Sequence, residues 1–179
     1  GQSKLGHALP GDRLDILRGD LREAEFADRC TRGQDIVFHF ASKIAGLGYN
    51  AQHPAEMMAY NTLLDLQVIN AAARNRVPLF FYPSGALVYD RDAPNPITES
   101  TASLGPPIEA CKGATWAKRT CEIALDYFRE EFGMQPIVAR LSNLYGPGDD
   151  FDPETAHLIG NTIRLVAQGE APEIWGDGS

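Results

Sequence analysis

DIVFHF, at Asp35–Phe40, is a short apolar run set between turn signals, the pattern of a strand buried in a parallel sheet. It breaks into Ala41–Asn50, a loop of small residues and glycine. A long helix is predicted over Pro54–Asn75, because Pro54 suits a first turn and Met57, Tyr60, Leu64, Val68 and Ala71 mark one face. Val77–Tyr82 is the next apolar strand, and it runs into Pro83-Ser84-Gly85-Ala86-Leu87-Val88-Tyr89. Strand, helix and strand at this spacing make one unit of a parallel sheet.

The alternation continues in both directions. Upstream, Leu14–Leu17 reads as a short strand ending in Gly19-Asp20-Leu21-Arg22, and Glu23–Arg32 as a brief helix. Before them GQSKLGHALPGD is polar and turn-rich, with no initiator methionine, and reads as a loop entered from something upstream. Downstream, Asp90–Pro107 is proline-rich and predicts an irregular surface excursion. Cys111–Glu122, CKGATWAKRTCE, opens a helix ending near Gly133, with Trp116, Thr120, Ile123 and Tyr127 as its apolar stripe. Pro136–Leu141 follows as a strand, Ser142–Asp149 as a loop with a Gly-Pro-Gly turn, and Thr155–Gln168 as an amphipathic helix. The fold class is therefore α/β, a doubly wound parallel sheet covered on both faces, whose ligands sit outside the carboxyl ends of the strands.

Composition narrows the function. The chain has 179 residues, 44% of them hydrophobic, and a net charge of −8 with its basic residues scattered. Nothing there favours nucleic acid or an anionic membrane. Cys30, Cys111 and Cys121 are odd in number and lack metal-ligand spacing, which favours reduced thiols in the cytoplasm over a disulfide framework or a metal site. No apolar run is long enough to span a bilayer, and Gly1–Pro10 is not a signal peptide.

Lys118 and Glu122 share one face of the Cys111–Glu122 helix. Taken alone, a lysine four residues before a glutamate is the weaker order for a helical ion pair and suits a solvated surface as well as a site. What raises its interest is the set of strand ends around it: Asp20, Phe40–Lys43, Pro83–Leu87 and Leu141–Asn143.

Read together, GDLRE at 19–23, VFHFAS at 37–42, Asn61, FFYPSGALVYD at 80–90, PITES at 96–100, WAKRTCE at 116–122, RLSNLYGPGDDF at 140–151 and IWGDGS at 174–179 resemble the extended short-chain dehydrogenase/reductase family of nucleotide-sugar epimerases, dehydratases and reductases. Lys43, NLYGPGDDFDP at 143–153 and His157 look most like its GDP-fucose synthase branch. The resemblance implies a Rossmann-like domain over 1–149 that lacks the family's first βαβ unit, and the start of a substrate-binding portion over 150–179. It implies NAD or NADP as cofactor and a nucleotide-diphosphate sugar as substrate. It also implies a homodimer through helices 54–75 and 115–132, both of which carry apolar residues on more than one face; coverage by the family segments absent from this sequence is the alternative.

By the same resemblance, Asp20 accepts from the adenine amino group and Leu21 packs on the ring, while Phe40, Ala41 and Lys43 pass the phosphates and ribose. Asn61 is a buried helix residue bonded to backbone near the cofactor. Lys118 holds the nicotinamide ribose and lowers the pKa of a catalytic phenol, Asn143 bonds the substrate diphosphate, and His157 is an acid or substrate ligand. From their residue types alone, Asp20 and Asn143 serve equally as turn residues, Ala41 as core and His157 as a surface residue.

Two positions depart from the pattern. The family's tyrosine, four residues before its lysine, is Ala114, and its serine or threonine falls on Gly85; neither can move a proton. Ser84 supplies a hydroxyl only if the loop shifts, since neighbouring side chains of a strand point to opposite faces. By the resemblance, Ala86 and Leu87 stand where dehydratases carry an acid pair, and Leu87 where fucose synthase and the 3,5-epimerases carry a cysteine that takes a proton from carbon, which leaves hydride transfer at a sugar C4. The competing class is an inactive relative that keeps the scaffold for binding or dimerisation. A weaker third option has Cys111 or Glu109 as a substitute acid/base.

Overall fold

The computed structural model describes residues 14–101, 105–153 and 156–173; the opening loop, IWGDGS at 174–179 and the start of the Thr155–Gln168 helix lie outside them. The backbone divides into two compact units, Gly1–Leu141 and Ser142–Ser179.

The first unit runs α1 (Ala24–Thr31), β1 (Ile36–Phe38), α2 (Leu47–Gln52), α3 (Pro54–Arg74), β2 (Leu79–Gly85), α4 (Lys112–Phe132) and β3 (Gln135–Leu141). Its strands form a parallel sheet in the order β1-β2-β3, with Ile36 paired to Leu79 and Phe81 to Ile137. Each strand is joined to the next through a long helix, the connection parallel strands require. This is the expected α/β, Rossmann-like class.

Burial alternates along β2, where Phe80 and Tyr82 are fully enclosed and their neighbours half-buried. Phe80 and Tyr82 meet Ala27 of α1, Val68, Ile69 and Ala72 of α3 and Cys121 and Leu125 of α4, with Val37 and Val138 packed alongside. The opposite alternation leaves Ile36, Phe38 and Ile137 exposed. Among the described residues this three-stranded sheet is thus enclosed on one face, not on both as its apolar strands suggested.

Close backbone contact lets α3 and α4 pack side by side. A Cβ on Gly113, in the first turn of α4, would lie 2.1 Å from the Pro54 carbonyl oxygen at the start of α3. At the far end Gly133 takes φ +72° and closes α4 by donating its N–H to the Arg129 carbonyl.

Three expectations need correction. Leu14–Leu17 is not a strand: it has no regular structure, and Ile16 and Leu17 are exposed. Among the described residues no backbone pairs with this segment, so its N–H and C=O groups are not satisfied as a strand's are. The loop after β1 contains a short helix, α2. The stripe of Trp116, Ile123 and Tyr127 on α4 faces outward, and the core is met instead by Ala117, Cys121 and Leu125. Small side chains on that side permit the close approach to the alanine-rich end of α3.

The second unit contains α5 (Leu158–Ala167) and the loop before it. Gly146 and Gly148 of the Gly-Pro-Gly turn have φ of +154° and +86°. A Cβ on Gly160 would sit 2.6 Å from the Asp150 carbonyl oxygen, so α5 and that loop touch through backbone.

Candidate functional site

A cleft of about 420 Å³ opens where the chain before α1 meets the end of β1, lined by Gly19, Asp20, Leu21, Ala41, Ser42 and Tyr60. Three residues singled out in the sequence, Asp20, Leu21 and Ala41, are thereby brought together. Asp20 is fixed by Arg22: its Oδ1 accepts from the Arg22 backbone N–H at 2.9 Å, and its two oxygens accept from Nε at 3.0 Å each and from Nη2 at 2.5 Å. The side-chain hydrogen bonds from Arg22 hold the Asp20 carboxyl well down, at about 2.

Asn61 closes the next stretch of the edge. From its buried place on α3 its Oδ1 accepts from the Lys43 N–H at 2.7 Å and the Ser42 hydroxyl at 3.1 Å, and its amide donates to the Lys43 carbonyl at 3.2 Å. One side chain thus pins the Ala41–Lys43 backbone beside the cleft. The Lys43 ammonium pairs with Glu56, which also accepts from the Tyr49 hydroxyl, and lies 5.6 Å from the centre of the Tyr60 ring. Phe40 is exposed and joins Phe38 and Phe81 in an aromatic cluster, with ring centroids 5.5–6.3 Å apart.

Lys118 is turned inward. Its Nζ donates to the Pro83 carbonyl at 2.9 Å, near the carboxyl end of β2, and stands 4.4 Å from the centre of the Tyr82 ring. Burial draws its pKa below the usual lysine range, against the opposing pull of Asp65, Cys121 and Glu122. The surface alternative is therefore not the one adopted. Glu122 does not serve Lys118 by hydrogen bond; its carboxylate takes a fork from Arg140 of β3, with Nη2 to Oε2 at 2.7 Å.

Ala114 and Gly85, which the sequence reading set apart, are placed as follows. Ala114 is half-buried on α4, and Gly85 ends β2 with open space around it, the nearest atom to an added Cβ being the Leu141 carbonyl oxygen at 3.9 Å. Ser84 lies on the enclosed side of β2 with Phe80 and Tyr82, and its Oγ has no hydrogen-bond partner among the described residues. Asn143 and His157 belong to the second unit; both are exposed, and His157 is the residue before α5.

Sequence reasoning missed a buried polar network beneath this edge. Asp65 of α3 has no exposed surface, and its Oδ1 pairs with His39 Nε2 at 2.8 Å while Oδ2 accepts from the Tyr82 hydroxyl at 2.5 Å. Burial, then the neighbouring Asp65 charge, raises the Tyr82 phenol far above its ordinary range, and burial pushes the Cys121 thiol up to about 12. The signal was present: Asn61 and Asp65 fall on the apolar face of α3, one turn apart, where only a partnered polar group is tolerated. Arg119 was missed too. It is 1% exposed and donates to the carbonyls of Val88 at 2.9 Å, Gly105 at 2.6 Å and Tyr89 at 3.3 Å, clasping the excursion after β2 onto α4.

A wider hollow of about 670 Å³, bordered by Ala73, Arg76, Val77 and Met134, lies at the other end of the sheet. Helices there present their carbonyl ends, so the narrower cleft at the strand ends is the better ligand site.

Sequence comparison matches residues 2–179 to the model of the NAD dependent epimerase/dehydratase family. A putative GDP-L-fucose synthase 2 of Oryza sativa subsp. japonica is 32% identical over 173 residues, covering 93% of this chain and 49% of the relative. The UDP-N-acetylglucosamine 4-epimerase from Methanobrevibacter ruminantium M1, solved in complex with UDP-N-acetylmuramic acid, superposes with a TM-score of 0.82 at 27% identity, over 99% of this chain and 56% of that one. A GDP-L-fucose synthetase from Naegleria fowleri bound to NADP shares the fold with a TM-score of 0.77 at 21% identity, over 89% and 55%. The chain spans about half the length of the curated relatives it matches.

Proposed function

The chain belongs to the NAD-dependent epimerase/dehydratase family, and on that premise we propose that it binds NAD or NADP and serves a nucleotide-sugar epimerase or reductase working by hydride transfer at sugar C4. The reading rests above all on Lys118, whose ammonium is drawn inward to the Pro83 carbonyl at the carboxyl edge of the sheet. The residues along that edge fit a dinucleotide. Ala41 and Ser42 are small enough for close approach, Asp20 offers an acceptor-only carboxylate, and Asn61 holds the Ala41–Lys43 backbone still. Similarity to a synthetase described as bound to NADP supports the cofactor class.

The bound cofactor supplies the hydride acceptor or donor. Lys118 holds the nicotinamide ribose through its hydroxyls, Asp20 and Leu21 take the adenine, and Phe40, Ala41 and Lys43 border the phosphates and ribose. Asn143 and His157 belong to the substrate, a nucleotide-diphosphate sugar. Similarity to a GDP-L-fucose synthase and a UDP-N-acetylglucosamine 4-epimerase supports that substrate class. The proposal includes a cytoplasmic setting, which the three free thiols suit, and a homodimer through α3 and α4. No described helix is long and apolar enough to cross a membrane.

A second reading, an inactive relative retaining the scaffold, is favoured by Ala114 and Gly85, which leave no proton-transferring side chain at either position. Loss of a positioned acid/base costs on the order of 10²–10⁴ in rate. The full chain and its Ala114→Tyr/Gly85→Ser double variant separate the two when turnover of nucleotide-diphosphate sugars is followed with NAD and with NADP. The space around Gly85 accepts a serine side chain. Turnover by the unaltered chain supports the enzyme; turnover only in the double variant supports the inactive scaffold; dinucleotide binding by neither defeats both.

A further inference from the structure

Arg22 does more than an exposed ion pair ordinarily does. Its guanidinium lies 4.3 Å from the centre of the Tyr60 ring, while Nε and Nη2 grip both oxygens of Asp20 and its own backbone N–H takes Oδ1 as well. Surface salt bridges contribute little when two long side chains must be ordered to make them. Here the cost is already met by the ring from α3 and by the short span between positions 20 and 22. Asp20 and Tyr60 both line the cleft, so the grip fixes a carboxylate at the cleft wall.

We infer that Arg22, seated on Tyr60, is a positioning residue that presents Asp20 to the cleft as a fixed hydrogen-bond acceptor and thereby selects a 6-aminopurine over a 6-oxopurine. This rests on the dinucleotide reading of the cleft and adds to it the residues that set base selectivity. A carboxylate has about four lone-pair positions on its two oxygens, and Arg22 brings only three donor groups to them: its backbone N–H to Oδ1, Nη2 to Oδ2, and Nε shared between both oxygens at 3.0 Å. The acceptor capacity that three donors leave on the carboxylate takes a hydrogen bond from an exocyclic amino group. A carbonyl at the same place on the base would set acceptor against acceptor. Because the Asp20 carboxyl is held at about 2, the group stays acceptor-only at any pH near neutral.

The test is the ratio of dissociation constants for NAD and nicotinamide hypoxanthine dinucleotide, repeated with their 2′-phosphates, measured calorimetrically on the full chain and on Arg22→Met, Arg22→Lys and Tyr60→Leu. A hydrogen bond to a charged group corresponds to a preference of about tenfold or more for the adenine form in the unaltered chain. Arg22→Met should bring that ratio to within about threefold, and Arg22→Lys, which keeps charge without the fork, should fall between. Tyr60→Leu should lower the ratio as well, and it decides the matter if Arg22→Met does not fold. General loosening would weaken both dinucleotides together and leave the ratio unchanged. An unchanged or increased ratio in Arg22→Met, or no preference in the unaltered chain, overturns the inference while leaving the dinucleotide reading intact. Failure of the unaltered chain to bind any of the four overturns that reading, and this inference with it.

Discussion

The Tyr82 hydroxyl donates to Asp65 Oδ2 across 2.5 Å, at a point where neither residue has exposed surface. The bond joins β2 to α3 through the centre of the first unit, and His39 on the end of β1 completes it. Lys118 lies against the face of the same phenol ring. The strand edge is therefore supported from beneath by a polar group that must stay satisfied.

Tyr82→Phe keeps the ring and removes only the donor. Asp65 then loses its Tyr82 partner and keeps His39 and the Cys121 thiol, with no water-exposed surface to compensate. A hydrogen bond to a charged group is worth about 1.5–3 kcal/mol, and the urea midpoint of Tyr82→Phe should fall accordingly. A midpoint equal to that of the unaltered chain would mean that His39 and Cys121 suffice to satisfy Asp65.

Gly113→Ala tests the α3–α4 contact. The added Cβ meets the Pro54 carbonyl oxygen at 2.1 Å, and because that atom is backbone it cannot swing aside. A loss of roughly 1–3 kcal/mol is expected from forced separation of the helices. Gly48→Ala is its counterpart: in α2, with nothing within 4 Å, it should stabilise by roughly 0.5–1 kcal/mol. Thermal unfolding of the two variants should move in opposite directions.

These two contacts show where the sequence is informative. DIVFHF and the apolar run from Val77 are short apolar segments bounded by turn signals, and their order with two long helices specifies the sheet. The network of His39, Asp65 and Tyr82 joins three separate elements, so each residue looks in isolation like an oddity on an apolar face. The face of α4 was misread for a related reason. Trp116, Ile123 and Tyr127 have helical spacing, but so do Ala117, Cys121 and Leu125, and the choice depends on how closely α3 approaches. Arg22 on Tyr60 was not legible, because no spacing in the chain connects positions 22 and 60.

Alkaline titration should report the Cys121 thiol, one of three that burial raises. The Cys121 thiol rises from an ordinary 9.0 to about 12 on burial, so between those values the folded chain keeps a proton that the unfolded chain has released. Stability therefore falls as pH rises above about 9. The raised Tyr82 phenol acts in the same direction from about 10, and the lowered Lys118 ammonium in the opposite one. Cys121→Ala should flatten the first part of the decline when unfolding is followed across that range. An identical pH profile would remove Cys121 as its source.

The outward face of α4 gives the proposed dimer its test. Trp116, Ile123 and Tyr127 are 43%, 51% and 64% exposed at steps of seven and four, and Leu63 on α3 is 53% exposed. A stripe of this kind costs little in a monomer only if it is small, whereas a stable dimer buries about 1,200–2,000 Å² in total. Ile123→Arg places a charge in the middle of the stripe without touching the Ala117–Cys121–Leu125 side. In sedimentation equilibrium the full chain should behave as a dimer and Ile123→Arg as a monomer with an unchanged circular dichroism spectrum. A monomeric unaltered chain would leave these residues without a homodimer role, and a dimer that survives the substitution would move the interface off this face.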